Sequence, residues 1–286
     1  MSDRPDLIVV GDVMVDVSVE AGALAPGGDV HGDVRVRPGG AGANAAVWAA
    51  TEGADVRLYG RVGGDLPGGL LADSLSARGV DARLTIDPEA RTGAMLVVRE
   101  EGDRSMVADR GANARLSAGD LAADLEAEAV LVSGYLLFHP GSEPAAQAAL
   151  ERARARFVAV DGASWPLLQE YGVDRFLEAT APANLLLVNE REAAILGGEE
   201  PERLFGAYEH VFVKLGERGA LHHSDGRSTS FSTPGGQVVD VTGAGDAFDG
   251  VLLAWLARGA SVQEALDRAC QAGRRVATSA DTWPEP

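Results

Sequence analysis

The chain reads Asp240-Val241-Thr242-Gly243-Ala244-Gly245-Asp246-Ala247-Phe248 in its C-terminal part. A β-rich run ends at Val238-Val239, and apolar residues then recur at helical spacing: Phe248, Val251, Leu252, Trp255 and Leu256. We therefore expect Gly243 and Gly245 at the N-terminus of a buried helix, where unpaired N–H groups and the helix dipole favour a phosphate. Asp246 would then lie as a general base beside a transferring phosphoryl group. A plain glycine-rich turn, with Asp246 as a favourable first-turn acid, explains the same residues.

The composition is typical of a globular α/β protein. Of 286 residues, 46% are hydrophobic and 24% are charged, and no apolar run approaches the roughly 18 residues that span a bilayer. The formal net charge of −18 argues against nucleic acid or an anionic membrane as a partner. One cysteine, Cys270, and a start at Met1-Ser2-Asp3-Arg4 unlike a signal peptide predict a cytoplasmic location.

Short apolar runs alternate with helical patterns, which predicts a doubly wound, mostly parallel sheet. The expected strands are Leu7–Val10, Val56–Tyr59, Val130–Ser133, Phe157–Val160, Leu185–Val188 and Val211–Val213, and the expected helices lie near 43–52, 67–78 and 143–156. Two segments do not fit this rhythm. The first reads as short strands with turns at Pro26-Gly27-Gly28 and His31-Gly32-Asp33, and the second as a hairpin. We predict a single domain, 1–286, with a β-sheet lid formed by about 13–38 and 92–108.

Polar residues and glycines follow the predicted strands. Ligands of such sheets bind beyond the carboxyl ends of the strands, so these residues are expected to surround one pocket. They are Asp12 and Asp16, Gly39–Asn44, Ser133–Tyr135, Asp161, Asn189–Glu192, Lys214–Gly219 and Gly243–Asp246.

The loop Gly39-Gly40-Ala41-Gly42-Ala43-Asn44 precedes a helix and loosely resembles a dinucleotide fingerprint. We prefer a backbone-lined wall in which Asn44 hydrogen-bonds the hydroxyls of a polyol, with a simple helix cap as the alternative. Asp12 and Asp16 have the even spacing that places side chains on one face of an extended chain, where carboxylates accept hydrogen bonds from a sugar. A turn cap at Asp12 and a solvated residue at Asp16 are the alternatives.

Asn189-Glu190-Arg191-Glu192 begins a helix directly after a strand. Asn189 and Glu192 are expected to organise Mg²⁺, its waters and the nucleotide phosphates, because Mg²⁺ prefers oxygen ligands. First-turn carboxylates are also favoured by the helix dipole alone. Lys214-Leu215-Gly216-Glu217-Arg218-Gly219 is a strand end and tight turn that suits backbone passing close to a nucleotide. Neither a Walker motif nor the ligand spacing of a zinc site is present in the sequence.

Taken together, these motifs resemble the ribokinase-like (PfkB) carbohydrate kinase family over essentially the whole chain. The segments that carry the resemblance are Gly11-Asp12 with Asp16, Gly39–Asn44, Arg61-Val62-Gly63-Gly64-Asp65, Thr92-Gly93, Gly111-Ala112-Asn113, Asn189 with Glu192, Lys214–Gly219 and Asp240–Asp246.

The resemblance implies an α/β/α sandwich with a β-sheet lid that often joins a dimer, and ATP-dependent phosphorylation of a hydroxymethyl group. It makes Asp246 the base and places the anion hole at Gly243, Ala244 and Gly245. It assigns phosphates and Mg²⁺ to Asn189 and Glu192, the nucleotide site to Lys214, Gly216 and Gly219, and a monovalent cation such as K⁺ to Asp240 and Thr242. It assigns the substrate to Asp16, Gly40, Gly42 and Asn44.

The sequence also departs from the family pattern. Met14 and Ala41 stand where ribokinases tend to have a polar residue and a lysine, so we expect a substrate other than ribose. Ser279-Ala280-Asp281-Thr282 stands where the family often has a Gly-Ala pair, which bears on the K⁺ site.

Three alternatives to a plain sugar kinase stay open. A nucleoside kinase would stack the base on an aromatic side chain, for which the candidates are Tyr135, Phe138 and Trp165. A kinase of a phosphorylated sugar would need a cationic clamp, for which the candidates are Arg35, Arg37, Arg104 and Arg110. A non-catalytic binding or regulatory protein on the same scaffold is the third, although the intact Asp246 and its glycines speak against it.

Overall fold

Alternate residues of the strand Leu7–Val10 (β1) pack on opposite faces of a large sheet. Leu7 and Val9 belong to one hydrophobic core, and Ile8 and Val10 belong to a second core on the other face. A strand with both faces buried is apolar throughout, which is why this run shows no alternation of polar and apolar residues.

The computed structural model describes residues 4–22, 27–100, 103–198, 201–232, 241–279 and 281–284. Besides β1, the strands of the main sheet are β4 Val56–Gly63, β5 Asp81–Asp87, β9 Ala129–Val132, β11 Phe157–Asp161, β12 Leu185–Asn189, β13 His210–Lys214, β14 Ala220–Ser224 and β15 Arg227–Phe231. Within the described residues the sheet has nine strands in the order β15-β14-β13-β12-β11-β9-β1-β4-β5. Every neighbouring pair from β13 to β5 is parallel, and β14 and β15 are antiparallel additions at one edge.

Helices cover both faces of this sheet. They are α1 Ala41–Thr51, α2 Leu66–Ser76, α3 Glu143–Arg152, α4 Trp165–Tyr171, α5 Val173–Ala179, α6 Glu190–Gly197, α7 Pro201–Ala207, α8 Ala244–Ala257 and α9 Val262–Ala277. The core on one face takes residues from α1, α2, α8 and α9, and the core on the other takes residues from α3 to α7. The three layers confirm the predicted α/β sandwich.

A separate small sheet has the order β3-β2-β6-β7, formed by β2 Met14–Ala21, β3 Gly32–Gly39, β6 Gly93–Glu100 and β7 Asp103–Asp109. It consists of two antiparallel hairpins joined by the parallel pair β2–β6. In this register Asp16 lies opposite Arg37 on one side and Met95 on the other. The strands fall in the two segments that broke the strand–helix rhythm of the sequence.

Several element boundaries differ from the expectations. The helix expected to reach residue 156 ends at Arg152, because Ala153 turns extended and starts the short strand β10 (Ala153–Arg154), which pairs with β8 (Leu125–Glu126). Gly32 begins β3 instead of lying in a turn. The predicted run at Val238-Val239, Asp240, Pro26 and residues 101–102 lie outside the described residues.

None of the helices in the described segments has both the length and the apolar character that crossing a bilayer requires.

Candidate active site

Asp246 is the third residue of α8, directly after a left-handed turn of the backbone. Gly243 caps the helix with φ +77°, a conformation that side chains with a Cβ rarely adopt. The helix therefore starts where the glycine pattern placed it. The N–H of Ala244 donates to the Val241 carbonyl oxygen at 3.2 Å, so this member of the expected anion hole is engaged within the turn.

The Asp246 carboxylate is held by Asn44 from α1. The Nδ2 amide of Asn44 donates to Asp246 Oδ2 at 2.8 Å. Burial raises the pKa of Asp246, and the hydrogen bond from Asn44 and the nearby Lys214 partly offset that rise. Asn44 is buried in the fourth position of its helix and Gly40 is the N-cap, so the simple cap considered for Asn44 is wrong.

Lys214, at the end of β13, forms a bidentate ion pair with Asp249 of α8. Its Nζ atom lies 2.9 Å and 2.7 Å from the two carboxylate oxygens. Burial raises the pKa of Asp249 to about 6, and the pair with Lys214 limits that rise. A Cβ at Gly245 would lie 3.5 Å from the Lys214 ammonium, so this cation adjoins the N-terminus of α8. Asp249 is not among the site residues predicted from the sequence.

Asn189 and Glu192 form a capping box at the start of α6. Asn189 Oδ1 accepts from the N–H groups of Arg191 and Glu192 at 2.9 and 3.0 Å, and Glu192 Oε2 accepts from the Asn189 N–H at 2.9 Å. The buried Glu192 carboxylate packs against Gly162, where a Cβ would come within 2.8 Å of Oε2. The two side chains therefore stabilise the start of α6, and they also line the cavity described next.

A cavity of about 430 Å³ runs along the carboxyl ends of β11 to β13 and the N-terminus of α8. It brings together residues expected from the sequence with others from α8 and α9. The expected ones are Asp161, Asn189, Glu192, Lys214, Gly216, Glu217, Gly219, Ala244, Gly245 and Asp246. Those that sequence reasoning missed are Ala163, Val241, Phe248, Asp249, Cys270, Gly273, Arg274, Ala277 and Thr278. No local motif marks the α9 face, so only the packing of α9 on α8 reveals it.

Asp16, on β2 of the small sheet, interacts electrostatically with Asp246. Burial, followed by repulsion from Asp246, raises the pKa of Asp16 to about 7. A Cβ at Gly39 would come within 2.3 Å of an Asp16 oxygen, so glycine at 39 makes room for this carboxylate. Gly40, with φ +99°, and Gly42 carry the loop tightly past the backbone of Gly11 and Asp12.

Asp12 differs from Asp16 in its surroundings. It lies before β2 begins, so the alternation argument made for the pair does not apply to it. Arg110 Nη2 donates to Asp12 Oδ1 at 2.6 Å, and Arg110 Nη1 donates to the Tyr135 carbonyl oxygen at 2.5 Å. Asp12 is therefore neutralised by a fixed cation.

The other arginines considered for a cationic clamp form ion pairs away from Asp246 or lie outside the described residues. Arg35 pairs with Asp33, and Arg37 pairs with Asp281 at 2.7 Å. The side chain of Arg104 lies outside the described residues.

The three aromatic candidates separate clearly. Phe138 packs against Tyr171 and Phe176 in the core. Trp165 is 40% exposed and faces Arg191. Of these three, the half-buried Tyr135 is the one that interacts electrostatically with the site. Burial and the charges of Asp246 and Asp161 raise the pKa of its hydroxyl group.

Among the described residues no group of three or more histidine, cysteine, aspartate or glutamate side chains could hold a metal ion alone. Glu192 is a buried carboxylate on the wall of the cavity, so the donor set fits a magnesium ion held mainly by phosphate oxygens and water. Asp240 lies outside the described residues, and the half-buried Thr242 lies two residues before the start of α8.

Comparison with known proteins agrees with this geometry. The model of the pfkB family carbohydrate kinases matches residues 4–284. The chain belongs to the PfkB family of carbohydrate kinases. The family resemblance and the prediction of an ATP-dependent carbohydrate kinase are thereby confirmed.

Two relatives show how similar in sequence this PfkB family member is to proteins of known activity. It is 32% identical to the bifunctional protein HldE of Azorhizobium caulinodans, over 90% of this chain and 57% of that protein. It is 28% identical to the ribokinase of Bacillus subtilis, over 91% of this chain and 89% of the relative. The chain thus spans little more than half the length of HldE.

Solved structures share the fold of this PfkB protein. Adenosine kinase from Sinorhizobium meliloti superposes with a TM-score of 0.87 at 22% identity, over 98% of this chain and 96% of that one. A putative ribokinase II from E. coli was solved in complex with ATP and Mg²⁺. It superposes with a TM-score of 0.86 at 24% identity, over 96% of this chain and 92% of that one.

Proposed function

We propose that this protein transfers the γ-phosphoryl group of ATP to a hydroxymethyl group of a sugar or sugar-like alcohol, with Asp246 as the general base. One observation carries the proposal. Asp246 lies in the first turn of α8, at the wall of the cavity, and Asn44 holds its carboxylate oxygen at 2.8 Å. A base with a raised pKa beside a helix N-terminus is suited to taking a hydroxyl proton next to a phosphate.

Each reacting group has a place in this proposal. Asp246 takes the proton of the hydroxyl group as its oxygen attacks the γ-phosphorus, and the bond from that phosphorus to the bridging oxygen of ADP breaks. The N-terminus of α8, with Gly243, Ala244 and Gly245, stabilises the charge on the transferred group. The Lys214 ammonium, fixed by Asp249, adds a positive charge beside it.

The nucleotide is assigned to the cavity. Gly216, Gly219, Asn189 and Glu192 line it, and the last two are assigned to the phosphates. The E. coli protein of the same fold, solved with ATP and Mg²⁺, supports these ligands. Glu192 would hold Mg²⁺ through water, and the bound ion would neutralise phosphate charge. A K⁺ site at Asp240 and Thr242 stays a prediction.

The substrate is assigned to Asp12, Asp16, Gly40, Gly42 and Asn44. In this proposal the small sheet is the lid of a single kinase domain, and its closure keeps water from the reacting phosphate. Arg110 already neutralises Asp12, which leaves Asp16 as the carboxylate that accepts substrate hydroxyls.

We also keep the expectations of a cytoplasmic location and of a homodimer through the lid. Apolar side chains on the small sheet support the second, because Val34 and Val36 of β3 and Val107 of β7 are 61%, 58% and 64% exposed.

A nucleoside is the alternative substrate, and Tyr135 is the observation that favours it. The charges of Asp246 and Asp12 act on its hydroxyl group, so the ring lies near the proposed substrate site, where a base could stack on it. Relatives with 27% identity include the cytidine kinase of Thermococcus kodakarensis.

The proposal is tested by ADP release from MgATP against a panel of sugars, sugar phosphates and nucleosides, with and without K⁺. Asp246→Asn is expected to lower kcat about 100- to 10,000-fold, the usual effect of losing a general base, while ATP binding is retained. Asp267→Asn, an exposed aspartate of α9, is the matched control and keeps its activity. Turnover unchanged in Asp246→Asn would contradict the role of the base. Equal ligand binding without turnover in the unmutated protein would favour the regulatory alternative.

A further inference from the structure

The segment 281–284 contacts both the small sheet and α1. Asp281 pairs with Arg37 of the small sheet at 2.7 Å, and the Thr282 carbonyl oxygen accepts from Trp48 Nε1 of α1 at 2.8 Å. Trp283 is 7% exposed, and its Nε1 donates to Asn44 Oδ1 at 2.6 Å. The segment therefore reaches the partner of Asp246 directly.

Packing fixes the position of the segment at this point. The Arg78 guanidinium lies over the Trp283 ring, 5.1 Å from its centroid. Thr282 lies against the first residue of the α8 turn, because a Cβ at Gly243 would come within 3.2 Å of Thr282 Cγ2. The indole therefore has little freedom to move away from Asn44.

The chemistry of the indole decides which way the Asn44 amide points. An indole N–H is a donor only, so the atom of Asn44 that faces Trp283 must be the carbonyl oxygen. The NH₂ group is then left on the side of Asp246, where it donates at 2.8 Å. The reverse orientation would set an amide oxygen against a carboxylate and an NH₂ group against an N–H.

We propose that Trp283 is a positioning residue, which fixes the Asn44 amide so that its NH₂ group holds the Asp246 carboxylate in its charged form. This inference rests on the proposed role of Asp246 as the base. Because the same segment pairs with Arg37, the orientation of the base is tied to the position of the small sheet.

Other charged groups also face Asp246. Lys214 of β13 favours the carboxylate. The carboxylates that oppose it are Asp12, Asp16, Asp161, Glu192 and Asp249. Tyr135 lies near the same carboxylate as a neutral phenol. The Asn44 amide is a neutral hydrogen-bond donor to this carboxylate, so its orientation matters to the charge.

The test is Trp283→Phe, which removes the N–H and keeps an aromatic ring. The Asn44 amide is then free to turn, and the acid limb of the kcat profile is expected to move to higher pH by about one unit, the scale of one hydrogen bond to a charged group. Activity lost at neutral pH should return at alkaline pH, and the affinity for ATP should be retained.

Trp48→Phe is the matched control. It removes an indole N–H that binds the same segment, but through the Thr282 backbone and not through Asn44. Both variants are expected to lower Tm, and only Trp283→Phe should shift the acid limb. A shift of equal size in both would reduce Trp283 to a packing role.

A second measurement separates this inference from the proposed function. The titration of the Asp246 carboxyl carbon, assigned with Asp246→Asn, is followed by ¹³C NMR in the unmutated protein and in Trp283→Phe. A higher pKa in the variant supports the inference even if no acceptor in the panel is phosphorylated, and coincident titrations overturn it.

Replacement of Trp283 by 3-benzothienyl-alanine, in which sulfur stands for the N–H group, repeats the test if the phenylalanine variant does not fold. The same rise in the Asp246 pKa is expected, and an unchanged pKa overturns the inference.

Discussion

Five carboxylates line the cavity that holds Lys214, and the environments of four of them differ more than their residue types suggest. Asp249 is bound to Lys214, Glu192 is bound within its capping box, and Asp161 accepts from the Gly134 N–H at 2.9 Å. Asp246 has the Asn44 amide. The carboxylate of Asp16 lies outside this cavity, and burial, followed by repulsion from Asp246, raises its pKa to about 7.

The raised pKa of Asp16 predicts a stability effect that depends on pH. Its folded value of about 7 lies above the ordinary 3.8, so the charged form destabilises the fold. The penalty is absent below about pH 4, where both states are protonated, grows between pH 4 and 7, and is complete above pH 7.

Asp16→Asn should therefore raise the free energy of unfolding of the ligand-free protein by on the order of 4 kcal/mol at pH 8, and by little at pH 4. Urea unfolding at the two pH values measures this difference. An equal gain at both would show that packing, and not charge, is responsible. Sugar phosphorylation should fall in the same variant, since Asp16 is assigned to the substrate.

The residue types of the site were largely predictable, and their pairings were not. Asn44 and Asp246 each follow a glycine-rich loop, so the sequence marked both. The partners Trp283 and Asp249 lie in segments without a motif, and their contacts depend on how α1, α8 and the segment 281–284 pack together.

At the scale of elements, the first turn of α8 combines two glycines with different constraints. Gly243 has φ +77° and lies against Thr282, whereas Gly245 is helical and has only the Lys214 ammonium at contact distance. The first glycine is required by the backbone, and the second keeps the space next to the cation open.

Gly243→Ala and Gly245→Ala should therefore fail in different ways. Gly243→Ala places a Cβ at positive φ, which costs about 1–2 kcal/mol, and should lower Tm as well as activity. Gly245→Ala should leave Tm unchanged or slightly higher, since alanine is favoured over glycine in helices by about 0.5–1 kcal/mol, yet raise KM for ATP. Calorimetry and steady-state kinetics on both variants check the contrast. A loss of Tm in Gly245→Ala alone would contradict it.

The parallel core of the main sheet was predictable because β1, β9, β11, β12 and β13 are short apolar runs. Strands β5, β14 and β15 were missed because polar residues interrupt their apolar runs. The β14–β15 hairpin nevertheless carried a signal in Asp225-Gly226, which has positive φ at both residues and forms the two-residue turn that hairpins favour. β5 also carried a signal, because the apolar residues Ala82, Leu84 and Ile86 alternate with polar ones along this strand.

At the scale of the whole molecule, charge opposes the nucleotide that the cavity is proposed to bind. The net charge of −18 repels MgATP at long range, and the local cations and the α8 N-terminus must overcome this.

Screening should therefore help the reaction. Raising choline chloride from about 0.01 to 0.1 M shortens the Debye length from about 30 to 10 Å, and KM for MgATP is expected to fall. Choline avoids any specific effect of K⁺. A KM that rises with salt would mean that the attraction of Lys214 and the helix terminus outweighs the repulsion of the molecule.

The parallel pair β2–β6 has a consequence for how the molecule is assembled. It joins two hairpins that are separated along the chain by α1, β4, α2 and β5. Contacts between distant segments bear a loop-closure entropy that local contacts do not, so they form late in folding. We therefore expect β1, β4 and β5 to dock side by side before the two hairpins pair, so that the β2–β6 pairing completes the native topology.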